Sequence, residues 1–346
     1  MTQNLAIVAP SVNWGHLAPA RAIELHKPGE GELLIKVVAT AQNPVDAFHA
    51  DTGWIVPFYP NVPGYDGAGT VAAVGAGVSG FAVHYRVAWM RPSGENGYGT
   101  YQQYCLAKVS GTVHLPSTLS LDDAATLPLA YFTAAVGVYT LLGVPLPLDE
   151  AGKVAPVVAG EWFLVWGANS PAGAAAVQLA KAAGFQVIAT SNQENFAYVK
   201  SLGTDVILDY DDLDVVDKIQ AIASLSLAFD AISQPSTSAA CIAVLSSAGA
   251  AGKLAVVRPL SGTAPDNVAV QHVLARDADP FSPGHEHELE GLTRLWQALV
   301  SEGRLRPYPV HAMPLGLNSV DKGIELQKRE QVRAQTLVYH PQFTQG

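Results

Sequence analysis

The chain has 346 residues, of which 49% are hydrophobic and 14% are charged, and its formal net charge is −10. This length exceeds the size at which a single core keeps growing, so two domains are expected. The hydrophobic content excludes a disordered chain. The net negative charge and the lack of a Lys/Arg cluster argue against a nucleic-acid partner.

The cysteine content and the N-terminal sequence indicate the compartment. Two cysteines, Cys105 and Cys241, are too few for a disulfide framework or a four-cysteine zinc site, and we expect them to be buried as small hydrophobic residues. The first residues, MTQNLAIVAPSVNWGH, lack the basic region of a secretory signal, and no apolar run reaches about 18 residues. We therefore expect a cytoplasmic protein that does not span a membrane.

The first part of the chain, to about residue 126, consists of short β-like runs separated by Gly/Pro turns. The runs are LLIKVVAT (33–40), DGAGTVAAVGAGV (66–78), YRVAWM (85–90) and TYQQYCLAKV (100–109). This pattern predicts a compact, barrel-like β domain.

From residue 127 to about 278, β-like and helical segments alternate, beginning with FLVWG and the helical AAAVQLAKAA. Such alternation is typical of a parallel, doubly wound sheet. The helical segment 286–305 and the β-like end QTLVYH are expected to rejoin the first domain. The predicted fold is α/β, with one domain formed by residues 1–126 and 279–346 and the other by residues 127–278.

The turn in 161-EWFLVWGANSPAGAAAVQLAKAAG-184 occupies the place of a Rossmann phosphate-binding turn. The three glycine positions of the G-x-G-x-x-G motif fall on Ala168, Ser170 and Gly173, so only the third glycine is kept. Pro171 suits the first helical turn, and the Ser170 hydroxyl could donate to a phosphate. The motif alone is weak, and a crossover without a ligand remains an alternative.

The end of the second strand indicates which nicotinamide cofactor fits. NAD sites usually carry a carboxylate there for the ribose 2′-hydroxyl, but this chain has Thr190 and Ser191 followed by Asn192. Hydroxyl and amide donors, with Asn195 and Lys200 nearby, favour the 2′-phosphate of NADPH over NADH. The alternative is that these residues only cap the next helix.

Several stretches, in this order, carry a resemblance that covers essentially the whole chain. They are 43-NPVD-46, 63-PGYDGAGTVAAVGAGVSGF-81, 121-LDDAATLPLAYFTAA-135, 143-GVPLP-147, 161-EWFLVWGANSPAGAAAVQLAKAAG-184, 188-IATSNQENF-196, 208-LDY-210 and 303-GRLRPYPV-310. The sequence resembles a zinc-independent medium-chain dehydrogenase/reductase of the quinone oxidoreductase branch. Within that branch it is most similar to fungal trans-acting enoyl reductases of polyketide pathways.

The resemblance implies a GroES-like β-barrel catalytic domain and a Rossmann domain, with NADPH in the cleft between them. By matching position, the cofactor contacts fall on Val45, Asp46, Ala47, Phe48, Asn169, Ser170, Pro171, Ala172, Ser191, Asn192, Asn195, Tyr210, Val257, Arg258, Leu337 and Val338. The substrate pocket would be lined by Leu127, Pro128, Leu129, Ala130, Tyr131, Phe132, Thr133 and Ala134.

Zinc-dependent relatives have an early-loop Cys and a Gly-His-Glu where this chain has Gly64, Tyr65 and Asp66. Without those ligands no zinc site is expected, and conjugate reduction of an electrophilic alkene becomes the reasonable chemistry. Hydride delivery to the β-carbon leaves negative charge on the carbonyl oxygen, which requires a hydrogen-bond donor, and the α-carbon then takes up a proton.

The expected donor is missing from its usual place. Several trans-acting enoyl reductases have a Lys five residues after the Asn of the Asn-Pro-x-Asp motif, and this chain has Phe48 there. The candidate catalytic groups are therefore Tyr131, Tyr65 and His49, with water or a ribose hydroxyl of the cofactor as alternatives. Each of these aromatic side chains could equally serve only to shape an apolar pocket.

The sequence leaves three functions open. The first is an enoyl reductase acting on an α,β-unsaturated carbonyl that is either free or carrier-bound on a polyketide synthase. The others are a quinone or alkenal reductase and a non-catalytic NADPH-binding protein. The stretch 266-DNVAVQHVLAR-276 is a candidate edge strand of the cofactor sheet. Pairing of such strands would give a homodimer, and an edge covered within the chain would leave a monomer.

Overall fold

The structure of the protein is a computed structural model that describes residues 3–14, 16–54, 56, 58–92, 97–247, 249, 251–273 and 284–345. The chain divides into two compact units. The first comprises Met1–Leu129 and Pro307–Gly346, and the second comprises Ala130–Arg306. Both ends of the chain therefore belong to the first unit.

The first unit is mainly β-structure. Its strands are β1 (Asn4–Ala6), β2 (Arg21–Ile23), β3 (Glu32–Ala41), β4 (Asp66–Val74), β5 (Arg86–Met90), β6 (Tyr104–Lys108), β7 (Thr112–His114), β14 (Val310–Ala312) and β15 (Thr336–Tyr339). In the described residues, β1 pairs with β2, and the other strands form one mixed sheet in the order β14-β15-β3-β4-β5-β7. Strand β6 also pairs with β3, so β3 is the branch point of this sheet.

The core of this sheet follows the two-residue period of a strand. Leu33, Ile35 and Val37 alternate along β3 and pack with Trp89 and Cys105 in one buried cluster. Burial of Cys105, which raises the pKa of its thiol, agrees with the expectation that it is a small hydrophobic residue.

Among the described residues, four helices and three short 3₁₀ segments complete the first unit or begin in it. They are α1 (Pro44–Thr52), α2 (Leu121–Ala125), α3 (Pro128–Ala135) and α9 (Val320–Lys328), with the 3₁₀ segments Val109–Gly111, Gly316–Ser319 and Pro341–Phe343. The Asn-Pro-x-Asp motif starts α1, since Pro44 lies in its first turn and the Asp46 carboxylate accepts the Asn43 N–H at 2.8 Å. Gly53, at φ 65°, ends it.

The second unit is a doubly wound α/β structure, as predicted. Its strands are β8 (Trp162–Trp166), β9 (Gln186–Ser191), β10 (Val206–Asp209), β11 (Leu227–Asp230), β12 (Gly252–Val256) and β13 (Val268–His272). The described strands are all parallel, in the order β10-β9-β8-β11-β12-β13, which is the Rossmann order. The helices are α4 (Pro171–Ala183), α5 (Phe196–Ser201), α6 (Val215–Ile222), α7 (Pro235–Ser246) and α8 (Glu286–Ser301), with a π-helical segment Val136–Leu141 and a 3₁₀ segment Gln193–Asn195.

The division between the units differs from the sequence prediction, mainly at its second boundary. This boundary follows residue 306 instead of residue 278, so α8 belongs to the second unit. The reason is packing, because the Trp296 ring of α8 stacks on Tyr131 with centroids 5.6 Å apart. The amphipathic pattern of α8 gave no information on which domain it covers.

Strand β13 lies at one edge of the parallel sheet, as the sequence suggested for 266–276. Residues 274–276 of that stretch lie outside the described residues, and the choice between homodimer and monomer stays a prediction. In the part of the chain that the structure describes, no helix is long and apolar enough to cross a bilayer.

Candidate active site

The turn between β8 and α4 is built for close approach of strand and helix. Ser170 caps α4 by accepting the Gly173 N–H at 3.1 Å, and its own hydroxyl donates to the Gly167 carbonyl at 2.8 Å. A Cβ at Gly173 would lie 2.3 Å from the Gly167 oxygen, so only glycine fits there. This is the packing role expected of the third motif glycine.

Gly167 is a further residue of this turn that the sequence motif did not reveal. It adopts φ 77°, and a Cβ there would lie 2.4 Å from Ile232 Cγ1. Its N–H donates to the Thr190 hydroxyl at 3.1 Å, which ties the turn to the end of β9. The signal was its place directly after the apolar run FLVW, one residue before the motif position.

Side-chain amides link the carboxyl ends of β8 and β9. The Asn192 Oδ1 atom accepts hydrogen bonds from the amides of Asn169, at 3.1 Å, and Asn195. Ser191 is buried and donates to the Asn192 carbonyl at 3.1 Å. Lys200, which the sequence suggested for phosphate binding, donates to the Thr204 carbonyl at 3.1 Å. The predicted cofactor residues on these two strands therefore form one polar cluster without a carboxylate.

The other predicted cofactor residues of the second unit follow neighbouring strands. Tyr210 comes directly after β10, and Val257 and Arg258 come directly after β12. The Val257 N–H donates to the Ser233 hydroxyl at 2.8 Å. These positions share the carboxyl edge of the sheet, which is where parallel α/β sheets bind ligands.

Asp230, at the end of β11, is a second residue that sequence reasoning missed. Its buried carboxylate accepts the backbone N–H of Ser233 and the hydroxyls of Thr237 and Ser238, all within 2.9 Å. It therefore fixes the loop before α7.

In the first unit, α1 brings His49 next to Tyr65, which precedes β4. The Tyr65 hydroxyl lies 3.4 Å from His49 Nδ1, and the ring centroids are 5.4 Å apart. Burial, and secondly the charge of Arg91, lower the pKa of His49 from 6.5 to about 3. The imidazole is therefore neutral near pH 7, with a proton on one ring nitrogen and a lone pair on the other.

The second ring nitrogen of His49, Nε2, has different surroundings from Nδ1. His49 is only 5% exposed, and its buried Nε2 atom has no hydrogen-bond partner among the described residues. A buried polar atom without a partner costs free energy, and such atoms call for a functional explanation. Two of the three predicted catalytic residues, His49 and Tyr65, are thus brought together.

The third predicted catalytic residue, Tyr131, lies elsewhere. It is 0% exposed in the interior of the second unit, and its hydroxyl donates to the Leu292 carbonyl at 2.7 Å. Burial raises the pKa of the Tyr131 phenol well above 10. A catalytic role for Tyr131 stays a prediction, and this geometry favours the alternative that it serves packing.

Side chains of the predicted substrate-lining stretch are mostly buried. Leu129 and Thr133 are the half-buried positions of Leu127–Ala134. They are four residues apart and share one face of α3. This face is the part of the stretch that could contact a ligand.

The predicted cofactor residues of the first unit vary in exposure. Phe48 is 49% exposed and packs edge-on against Trp54 with centroids 5.8 Å apart, whereas Ala47 is buried and Val45 is half-buried. Leu337 and Val338 are buried in β15, and Leu337 packs in a core cluster of the first unit.

Asp46 and Asp66 belong to a buried polar network. Besides Asn43, Asp46 accepts a hydrogen bond from the Tyr101 hydroxyl at 3.0 Å, and burial raises the pKa of its carboxyl to about 6. Asp66 accepts the Asn43 amide at 2.9 Å and the Leu129 N–H at 2.8 Å, and burial raises its pKa well above 3.8.

These contacts show how the side chains at the family's zinc-ligand positions are used. Tyr65 faces His49, and Asp66 binds Asn43 and Leu129. The described residues contain no group of three or more His, Cys, Asp or Glu side chains that could hold a metal ion. Metal independence of the activity stays a prediction.

The comparisons with known proteins agree with this architecture. Residues 29–117 match the alcohol dehydrogenase GroES-like domain, and residues 171–277 match the family described as zinc-binding dehydrogenase. The trans-enoyl reductase himH of Aspergillus japonicus is 32% identical over 317 residues, which cover 89% of each chain. This chain belongs to the trans-enoyl reductases, a branch of the medium-chain dehydrogenases/reductases.

A second relative supports the family assignment, and a solved structure supports the fold. The trans-enoyl reductase tazE of Aspergillus terreus is 40% identical over 203 residues, which cover 56% of this chain and 64% of that one. The crystal structure of an alcohol dehydrogenase superfamily protein from Novosphingobium aromaticivorans shares the fold, with a TM-score of 0.77 at 22% identity over 97% of this chain and 99% of that one. Trans-enoyl reductases belong to a family of nicotinamide-dependent oxidoreductases.

Proposed function

We propose that the protein is an NADPH-dependent reductase of the C=C bond of α,β-unsaturated carbonyl compounds. The observation that carries this proposal is the neutral His49, whose buried Nε2 atom has no partner among the described residues and whose Nδ1 atom faces Tyr65. A chain with Phe48 in place of the family lysine needs another donor for the developing enolate, and this pair supplies one. The names of the curated relatives support the same reaction class.

The residues of the second unit fit a nicotinamide cofactor. The close packing at Gly167 and Gly173 brings the start of α4 directly against the end of β8, where the free N–H groups of the helix N-terminus would face a pyrophosphate. Ser191 and the amide cluster of Asn169, Asn192 and Asn195 offer hydroxyl and amide groups without a carboxylate that would repel a 2′-phosphate. The cofactor, when bound, supplies a hydride from its nicotinamide C4.

In this proposal, a residue of the first unit stabilises the negative charge that hydride transfer leaves on the substrate carbonyl oxygen. The His49 Nε2–H donates a hydrogen bond to the substrate carbonyl oxygen and stabilises the negative charge that develops there. Because the pKa of His49 is about 3, the imidazole does not become charged near pH 7 and polarises the carbonyl as a neutral donor. The α-carbon then takes its proton from water.

The substrate class and the partner complete the proposal. Among α,β-unsaturated carbonyls, we assign as substrate an enoyl thioester carried on a polyketide synthase, because the relatives are trans-enoyl reductases. We propose the cytoplasm as the location of this reaction. Quinone or alkenal reduction, and NADPH binding without turnover, are the competing outcomes.

A substrate panel tests the proposal. Purified enzyme receives NADPH with a 2-enoyl pantetheine thioester, a simple enal or a benzoquinone, and NADPH oxidation is followed. We expect kcat/KM to be largest for the thioester. Larger values for the quinone or the enal would support the competing reductase, and binding of NADPH without oxidation in any arm would contradict an enzymatic function.

A further inference from the structure

The guanidinium of Arg91 is a buried cation that directly follows β5. Arg91 is 2% exposed, and its Nη1 atom donates to the carbonyls of Val62, at 2.9 Å, and Gly64, at 3.4 Å. Its backbone N–H donates to the Tyr65 carbonyl at 3.0 Å. Arg91 therefore holds the segment that leads into Tyr65 from both its side chain and its backbone.

Arg91 also contacts the Tyr65 ring. Its Cζ atom lies 4.8 Å from the ring centroid, which is within the range of a cation–π interaction. A planar guanidinium fixed by two carbonyls restricts the ring that packs on it. The positive charge draws electron density from the phenol, so the hydroxyl becomes a better hydrogen-bond donor and a poorer acceptor.

The polarisation determines the direction of the hydrogen bond to His49. If the Tyr65 hydroxyl is the donor, His49 Nδ1 is the acceptor and the imidazole proton must lie on Nε2. The groups that face His49 are the rings of Phe48, Trp54 and Tyr65, and the nearby charge is that of Arg91. Arg91 in turn interacts with the Asp46 carboxylate, the nearest acid of α1.

We infer that Arg91 is a positioning residue, which acts through Tyr65 to keep the His49 proton on Nε2, where it faces the substrate carbonyl. This inference rests on the proposed function for the use of the proton. The tautomer itself is a property of the free protein. It can therefore be measured without turnover.

The test is the tautomer of His49 in ¹⁵N-histidine-labelled protein, read from two-bond ¹H–¹⁵N correlation spectra. The chain has 10 histidines, and the signal that disappears in His49→Gln identifies the residue. Wild type should show a protonated Nε2 and an unprotonated Nδ1. Arg91→Met, which removes the charge but keeps an unbranched stem, and Tyr65→Phe should each give a mixture of tautomers.

Activity provides the second readout. In Arg91→Met, kcat for the enoyl thioester should fall about tenfold to a hundredfold while KM changes little, because the lost donor alignment acts in the transition state. Arg91→Lys keeps the cation and should retain most of the Nε2–H tautomer. This variant and Tyr65→Phe keep the inference testable if Arg91→Met does not fold.

The outcomes separate the two claims. A proton on Nδ1 in wild type, or an unchanged tautomer in Arg91→Met or Tyr65→Phe, overturns the role of Arg91. A changed tautomer with unchanged kcat supports the positioning by Arg91 and contradicts the proposed use of His49 in catalysis.

Discussion

The two units present their candidate residues in different ways. In the second unit the predicted cofactor residues follow the ends of strands in one regular sheet, and some of their contacts are local, as between Ser170 and Gly173. In the first unit the polar groups come from distant segments, since Tyr101 reaches Asp46 and Arg91 reaches Val62. The comparison indicates that the predicted cofactor residues are placed by regular strand–turn–helix units, whereas the candidate catalytic groups are brought together by the tertiary fold.

The largest effect is expected from a substitution in the first-unit site itself. His49→Phe removes the Nε2–H donor, so kcat for an enoyl thioester should fall about 10²- to 10³-fold, as for one lost oxyanion donor. His49→Gln places an amide nitrogen near the position of Nε2 and should recover part of the rate. Steady-state kinetics would measure this loss, and a titration with NADPH should show unchanged cofactor affinity. Full activity of His49→Phe would show that His49 takes no part in the mechanism.

The pH dependence of stability sharpens the same comparison. Because the folded-state pKa of His49 is lowered to about 3, its contribution to stability is present above pH 6.5 and is lost as the pH falls toward 3. From pH 7 to pH 5 wild type should lose about 2 kcal/mol of unfolding free energy relative to His49→Asn.

Urea denaturation of both proteins at the two pH values measures that difference. Asp46, whose folded-state pKa is raised to about 6, gives the opposite trend in both proteins, since its contribution is lost as the pH rises through that value. A difference that does not change with pH would mean that His49 titrates normally in the folded state.

A smaller effect is expected from a charge at the second-unit cluster. Ser191 is fully buried, so Asn192, which is partly exposed and of the same shape as Asp, is the better position for the test. Asn192→Asp keeps the oxygen that accepts from Asn169 and Asn195 but repels a 2′-phosphate. The NADPH:NADH affinity ratio should fall about tenfold, or about 1.4 kcal/mol, by fluorescence titration. An unchanged ratio would place the 2′-phosphate elsewhere.

The smallest expected effect on function concerns Tyr131. Tyr131→Phe removes the hydrogen bond to the Leu292 carbonyl and should lower the free energy of unfolding by about 1 to 2 kcal/mol, with little change in kcat. Tyr139→Phe is the matched control, since the Tyr139 hydroxyl also donates to a backbone carbonyl, that of Leu179. A fall in kcat of tenfold or more in Tyr131→Phe alone would restore Tyr131 as a catalytic candidate.

Particular residues show what the sequence could predict. The alternation of β-like and helical segments predicted the parallel sheet, because this pattern depends on neighbouring residues. The Arg91–Tyr65–His49 arrangement could not be predicted, since it brings together residues of α1, the segment before β4 and the end of β5. The unit to which α8 belongs could not be predicted for the same reason, because its partner Tyr131 is far away in sequence.

The most direct test of the central claim is the fate of the transferred hydride. The enzyme is incubated with a 2-enoyl pantetheine thioester and NADPH deuterated at nicotinamide C4, each C4 position in turn, and the product is analysed by mass spectrometry and NMR. The account predicts a saturated thioester with one deuterium on the β-carbon from one of the two cofactors, and a solvent-derived hydrogen on the α-carbon. Deuterium on the carbonyl carbon, or no saturated product, would contradict it.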